Sequence, residues 1–210
     1  MSKMRKFMED VLTMPYFENC AAASGAVHNI ANHENAVEDK LKKHGYSLLR
    51  KGEVKTKQRE AWLNGTGDHS DIPDNNYISQ PCGSNSSPDF IVKSEGKLYF
   101  LECKSVKDSG TPMYNSGIPK AKYIYIFCSK KYNQTTIYFG DDVLPSREDQ
   151  LIKEHIAAAR KRDKEFNERL GNTHGAAVYS RIMLQPKGSN KDYFKHPMRE
   201  ELEQKVLNAV

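Results

Sequence analysis

A chain of 210 residues with 38% hydrophobic and 28% charged residues can bury one core, and its apolar runs fall far short of the roughly 18–20 residues that cross a bilayer. Its net charge of +5 is too small to specify a nucleic-acid partner, so the distribution of charge matters more than the total. Cys20, Cys82, Cys103 and Cys128 lie far apart with no Cys-x-x-Cys pair, which argues against a zinc ribbon or disulfide scaffold and for a reducing cytoplasm.

Residues 2–13 are predicted helical, and the acids among their apolar positions make a poor secretion signal. HENAVEDKLKKHGY (33–46) predicts a second helix, with Val37 and Leu41 four apart, Glu34 and Glu38 on their face, and Gly45 as the stop. RKGEVKTKQR (50–59) sets five bases, Arg50, Lys51, Lys55, Lys57 and Arg59, against Glu53 alone, a surface cluster that suits a polyphosphate partner and equally suits plain solvation. Residues 61–87, dense in Gly, Asn, Asp and Ser, read as one long polar insertion of the kind that is functional or disordered in a compact domain. Within it, 61–79, with Trp62, His69 and Asp71, is a candidate lid or specificity loop, and His69 reads as a solvated loop residue rather than a metal ligand.

Strands are predicted over 89–93 and 98–103, then over AKYIYIFCS (121–129) and TTIYFG (135–140), with KKYNQ as the turn between the last two. Ser146, followed by Asp149, opens a helix that runs to about Leu170 and stops at Gly171-Asn172. It carries Arg160, Lys161, Arg162 and Lys164; this cluster, like Lys120, Lys122, Lys130 and Lys131, suits a polyphosphate partner and equally suits a solvated surface. GAAVYSRIML (175–184) reads as a further strand, and a short helix follows from near Pro197. The order predicts an α/β (α+β) fold over residues 1–210: a single domain with a central mixed sheet flanked by helices.

The stretch SSPDFIVKSEGKLYFLECKS (86–105) carries the chemistry. Glu95-Gly96 is the natural two-residue turn of a hairpin, and such a loop pairs residues whose numbers sum to 191. Asp89 then falls opposite Glu102, and Lys104, two residues on, shares their face. Ile91, Leu98 and Phe100 continue that face, while Phe90, Val92, Tyr99 and Leu101 form the other. Two carboxylates this close repel and recruit a cation; a few oxygen ligands completed by water suit Mg²⁺, which activates phosphodiesters. Glu-x-Lys alone carries little, since it recurs at 38–40, 53–55, 95–97 and 203–205, but only Asp89, Glu102 and Lys104 have two strands to bring them together.

Pro88-Asp89, twelve residues, then Glu102-Cys103-Lys104 resembles the signature of the PD-(D/E)XK nuclease superfamily, and Glu34-x-x-Val37-x-x-x-Leu41 resembles the helix that often supplies an accessory acid there. The likeness spans roughly residues 30–130 and implies a restriction-endonuclease-like core. It implies metal binding by Asp89, Glu102 and the backbone carbonyl of Cys103, catalysis by Lys104, and Glu34 as accessory acid. The Cys103 thiol is then a packing group on the opposite face.

A compact chain without a P-loop is most similar to type II restriction endonucleases, which implies cleavage of double-stranded DNA, a homodimer, and a cognate DNA methyltransferase as functional partner without a stable complex. Gln80-Pro81-Cys82-Gly83-Ser84 and Tyr114-Asn115-Ser116-Gly117 look like loops placed beside such a site, making Gln80, Ser84, Asn115, Ser116 and Lys120 candidate DNA contacts; the same residues also suit plain turns. A structure-specific repair or recombination nuclease and an inactive DNA-binding module remain alternatives. A cysteine-nucleophile hydrolase lacks any recognisable elbow.

Overall fold

The computed structural model describes residues 1–16, 31–50, 53–70, 72–83, 86–114, 118–144, 146–171 and 175–210. Six strands, β1 (Ser47–Leu48), β2 (Asn76–Ser79), β3 (Phe90–Ser94), β4 (Lys97–Val106), β5 (Ile124–Ser129) and β6 (Gln134–Phe139), form one sheet in sequence order. β1 runs parallel to β2 and β4 to β5; the other neighbours are antiparallel, so the sheet is mixed. Five α-helices occur among the described residues: α1 (Lys3–Leu12), α2 (Ala31–Lys43), α3 (Thr56–Leu63), α4 (Ser146–Leu170) and α5 (Arg199–Ala209). This is the α/β layout expected. None of these helices is long and apolar enough to cross a membrane.

The hairpin of β3 and β4 pairs Phe90 with Leu101 through Ser94 with Lys97, every pair summing to 191. Its turn places both Glu95 (φ 50) and Gly96 (φ 75) in the left-handed region, which matches the twist of a two-residue hairpin. Gly96 adopts this freely, whereas Glu95 does so at some cost. The Lys3 amide, at the start of α1, donates to Glu95 Oε1 at 2.9 Å, and the Gly96 amide donates to Asp74 Oδ1 at 3.0 Å.

That register sends alternate residues to two cores. Phe90, Val92, Leu101 and Cys103 pack with α1 and α2 through Phe7, Val11, Val37 and Leu41. Ile91 packs with Trp62 of α3, Val54, Ile72 and Ile78 on the other face, with Leu98 and Phe100 against them. Further along that face a tyrosine-rich cluster, including Tyr114, Tyr125, Tyr138 and Tyr193, continues across β5 and β6. The Cys103 thiol is a packing group as expected, and Cys82, Cys103 and Cys128 are free thiols. α5 lies along β6, where Thr136 Oγ1 donates to Glu203 at 2.6 Å and Arg199 donates to Gln134 at 2.9 Å.

Three expectations are corrected. Residues 61–87 are not one polar insertion: they hold the end of α3 and all of β2, and Trp62, Ile72, Tyr77 and Ile78 are buried. Scattered apolar residues reach the core there because polar partners anchor the intervening chain, among them buried Lys93, whose Nζ donates to the carbonyls of His69 and Ile72 at 2.8 and 2.7 Å. Residues 175–184 form no strand; Tyr114 and Leu184 make one isolated bridge, and the remainder lies along α4, bonded to its side chains. Arg59 is not a surface base but is buried, donating to the Val54 carbonyl at 2.8 Å.

His33, on the first turn of α2, is buried and donates from Nε2 to the Ile126 carbonyl of β5 at 3.0 Å. Burial pushes its imidazole down from the ordinary 6.5 to about 4, so the fold holds it neutral while the unfolded chain protonates it. Its contribution is therefore intact above about pH 6.5 and is withdrawn as pH falls toward 4. Urea unfolding at pH 7.5 and 5 should show wild type losing about 2 kcal/mol more across that interval than His33→Gln.

Candidate functional site

Four chain segments meet where β3 and β4 run out of regular pairing. The ladder ends at Phe90 and Leu101, so Asp89 is not a paired strand residue facing Glu102, as the simple register would have it. The Asp89 amide instead donates to the Leu101 carbonyl at 3.0 Å, and Asp89 Oδ2 accepts the Cys103 amide at 2.7 Å. The acid is thus tied twice to β4, flanking Glu102 in sequence on either side.

Glu102 and Lys104 share a face of β4, and the Lys104 ammonium lies 2.6 Å from Glu102 Oε1. Glu34 enters from α2. It is joined to Asp89 by Gln80, whose Nε2 donates to Glu34 Oε2 at 2.6 Å and to Asp89 Oδ1 at 3.2 Å. Gln80 follows β2 directly, with φ 47, and its own amide donates to the Asp89 carbonyl at 2.7 Å. The left-handed backbone turns the side chain back toward the acids.

The electrostatics are unbalanced. Burial, reinforced by the charges of Glu102 and Glu34, raises Asp89 far above the usual carboxylate range. Burial also raises Glu34, opposed by the Gln80 hydrogen bond and reinforced by Glu102. Three carboxylates face one ammonium. Glu102 Oε2 and Gln80 Oε1 are buried with no hydrogen-bond partner among the described residues, and orphaned buried oxygens of this kind ask for a donor or a cation.

Among the described residues no group of three or more His, Cys, Asp and Glu side chains is arranged as a ready metal cage. The reason is visible: Asp89 is held by two N–H donors and Glu102 Oε1 by Lys104. A hard cation that keeps most of its waters needs only one or two carboxylates, and the excess negative charge with the free Glu102 Oε2 fits such an ion. Asp89, Glu102 and the Cys103 carbonyl are the residues that could hold it.

Beside the acids, on the α3 face, lies a groove of about 880 Å³ lined by Trp62, Phe100, Lys120, Lys122, Tyr123 and Lys153. Lys120 stands over the Tyr123 ring at 5.0 Å, and its amide donates to the Tyr125 hydroxyl at 3.0 Å. The structure therefore brings Glu34, Asp89, Glu102 and Lys104 together, with Lys120 in the adjoining groove. Gln80 belongs to the acid cluster rather than to an outlying loop. Ser84, Asn115 and Ser116 lie outside the described residues. Comparison with protein-family models, with curated proteins and with solved structures finds no match to this chain.

Gln80 is the only neutral hydrogen-bond donor between Glu34 and Asp89 among the described residues, so Gln80→Ala should destabilise the protein by about 1–3 kcal/mol in urea unfolding. Adding Glu34→Gln should recover part of that loss by removing one of the opposed charges, a non-additivity of about 1 kcal/mol in the double-mutant cycle.

Proposed function

We propose that this chain is a Mg²⁺-dependent, sequence-specific double-stranded DNA endonuclease of the type II restriction kind, with the PD-(D/E)XK arrangement at its centre. The observation that carries the reading is the buried pair Asp89 and Glu102 with half-buried Glu34 and Lys104 beside them, three carboxyl groups to one ammonium, with a Glu102 oxygen unused. Bound Mg²⁺ supplies a polarised phosphodiester and an activated water. Asp89 and Glu102 would hold the ion with the Cys103 carbonyl. Glu102 fixes the Lys104 ammonium, which orients the attacking water and meets the charge that develops on the phosphate. Glu34, through Gln80, sets the position of Asp89.

The neighbouring groove has Lys120 and Lys122 among its lining residues, which offer positive charge to a phosphate backbone, while Lys153 is paired with Asp149. A homodimer suits a palindromic site, and a cognate DNA methyltransferase protects the host sequence. One observation favours a second reading, an inactive DNA-binding module: both Asp89 oxygens and Glu102 Oε1 already have protein partners, so much of the cluster is satisfied without metal.

Incubating the protein with phage DNA and Mg²⁺ separates these. Discrete fragments support the restriction reading; a smear, or cutting of branched or single strands alone, supports a structure-specific nuclease; intact DNA under varied divalent metals supports the binding module. If cleavage is seen, Lys104→Ala should lower its rate by about 10²–10³-fold, the usual effect of removing one stabilising charge. Mg²⁺ should raise the thermal stability of the wild type, and Asp89→Asn should abolish that rise.

A further inference from the structure

The positive charge of this protein is concentrated in one stretch of its sequence. Residues 160–195 hold nine Lys and Arg against four Asp and Glu, an excess of five that equals the net charge of the whole chain. They comprise the distal part of α4 and the segment that returns beside it. α4 is 25 residues long, about 37 Å, and along its described side chains only Ala159 is fully buried.

Every acid in this stretch is committed. Asp163 accepts from the amide and hydroxyl of Ser180. Glu165 and Glu168 lie 3.8 Å from Lys161 and Lys164. Asp192 accepts from Tyr132 and from the Phe194 amide. Arg160, Arg162, Arg169, Lys187, Lys191 and Lys195 are exposed and have no acid at ion-pair distance among the described residues.

The return segment is fixed rather than incidental. Asn167 exchanges two hydrogen bonds with the Val178 backbone, both 2.7 Å, and Ser180 is bound by Asp163. The result is a shallow groove of about 720 Å³ with Arg160, Lys164 and Tyr179 on its walls together with the committed acids Asp163 and Glu168, Tyr179 being 82% exposed. Arg160, Lys161 and Arg162 lie about 100° apart around the helix, with Lys164 between the first two, so the bases cover roughly 200° of its circumference. Guanidinium and ammonium groups without partners, joined by an exposed tyrosine hydroxyl, are the donors that sugar–phosphate backbones accept.

We propose that the distal half of α4 and residues 175–195 form a clamp on the backbone of a DNA duplex, reading no sequence and holding the duplex whose strand the acid cluster cuts. This rests on the nuclease reading for the identity of the duplex. The groove lined by Phe100, Lys120 and Tyr123 also includes Asp149 and Lys153 of α4, so the helix begins at the groove beside the site and leads from it to the basic distal half.

The test is equilibrium binding of a fluorescein-labelled 30-base-pair duplex to the full chain in EDTA, across a salt series. The variant Arg160→Gln/Arg162→Gln/Lys187→Gln/Lys191→Gln should bind about tenfold or more weakly near 0.1 M salt. Its slope of log K against log salt should be shallower by up to about 3–4, near 0.9 for each phosphate no longer neutralised. Arg160→Lys/Arg162→Lys, which keeps the charge, should retain most of the affinity, and these exposed positions allow a check of folding by circular dichroism.

An unchanged affinity and slope in the glutamine variant would overturn the clamp. So would binding to phosphatidylserine vesicles in place of duplex, or a switch from dimer to monomer with duplex affinity intact. Cleavage of phage DNA is read separately. A chain that grips duplex through these bases but cuts nothing under any metal retains the clamp and loses the nuclease reading.

Discussion

The pairing of β3 with β4 is the constraint on which the other features rest. A slip of β3 by one residue against β4 would carry Phe90 and Val92 from the α1–α2 core to the α3 side and turn Asp89 away from Glu102. The register is pinned at the turn, where Glu95 is held in a left-handed conformation by the Lys3 amide while Asp74 holds Gly96. The first helix and the approach to the hairpin thus act on a bend far from the carboxylates, and the strands transmit that choice along their length.

At the opposite end, the fold places like charges where water is scarce. Asp89 and Glu102 are both buried, and Glu34 joins them through one side-chain amide. Such an arrangement lowers stability unless something positive or proton-bearing compensates it. Lys104 compensates one oxygen of Glu102, two amides compensate Asp89, and the remainder is uncompensated. A structural ion pair would end more evenly. Residual imbalance of this sort is the physical signature of a site shaped for a visitor.

Much of this was legible from residue order. Alternation along 90–101 identified both faces of the hairpin, and the charge of Glu102 and Lys104 stood out against apolar neighbours. The contribution of Gln80 was not legible, because it depends on a left-handed backbone that no local pattern announces. The short β2 has a buried Tyr77-Ile78 pair inside a polar stretch, a signal too brief to separate from loop. The opposite error arose at 175–184, whose apolar residues mimic a strand, although its partners are side chains of a helix and Val178, Tyr179 and Met183 remain exposed. Periodicity reports which residues alternate, not what lies opposite them.

The two margins of the sheet differ from its middle. β1 is a two-residue strand, both residues exposed, and β6 has α5 alongside it, with Arg199 donating to Gln134 and Glu203 accepting from Thr136. Neither margin presents a long bare row of peptide groups for a foreign strand to zip onto. Copies of this chain that meet are therefore steered toward docking by helices and side chains, and the intrinsic hazard of a β-rich core, runaway stacking into fibrils, is blunted at both flanks.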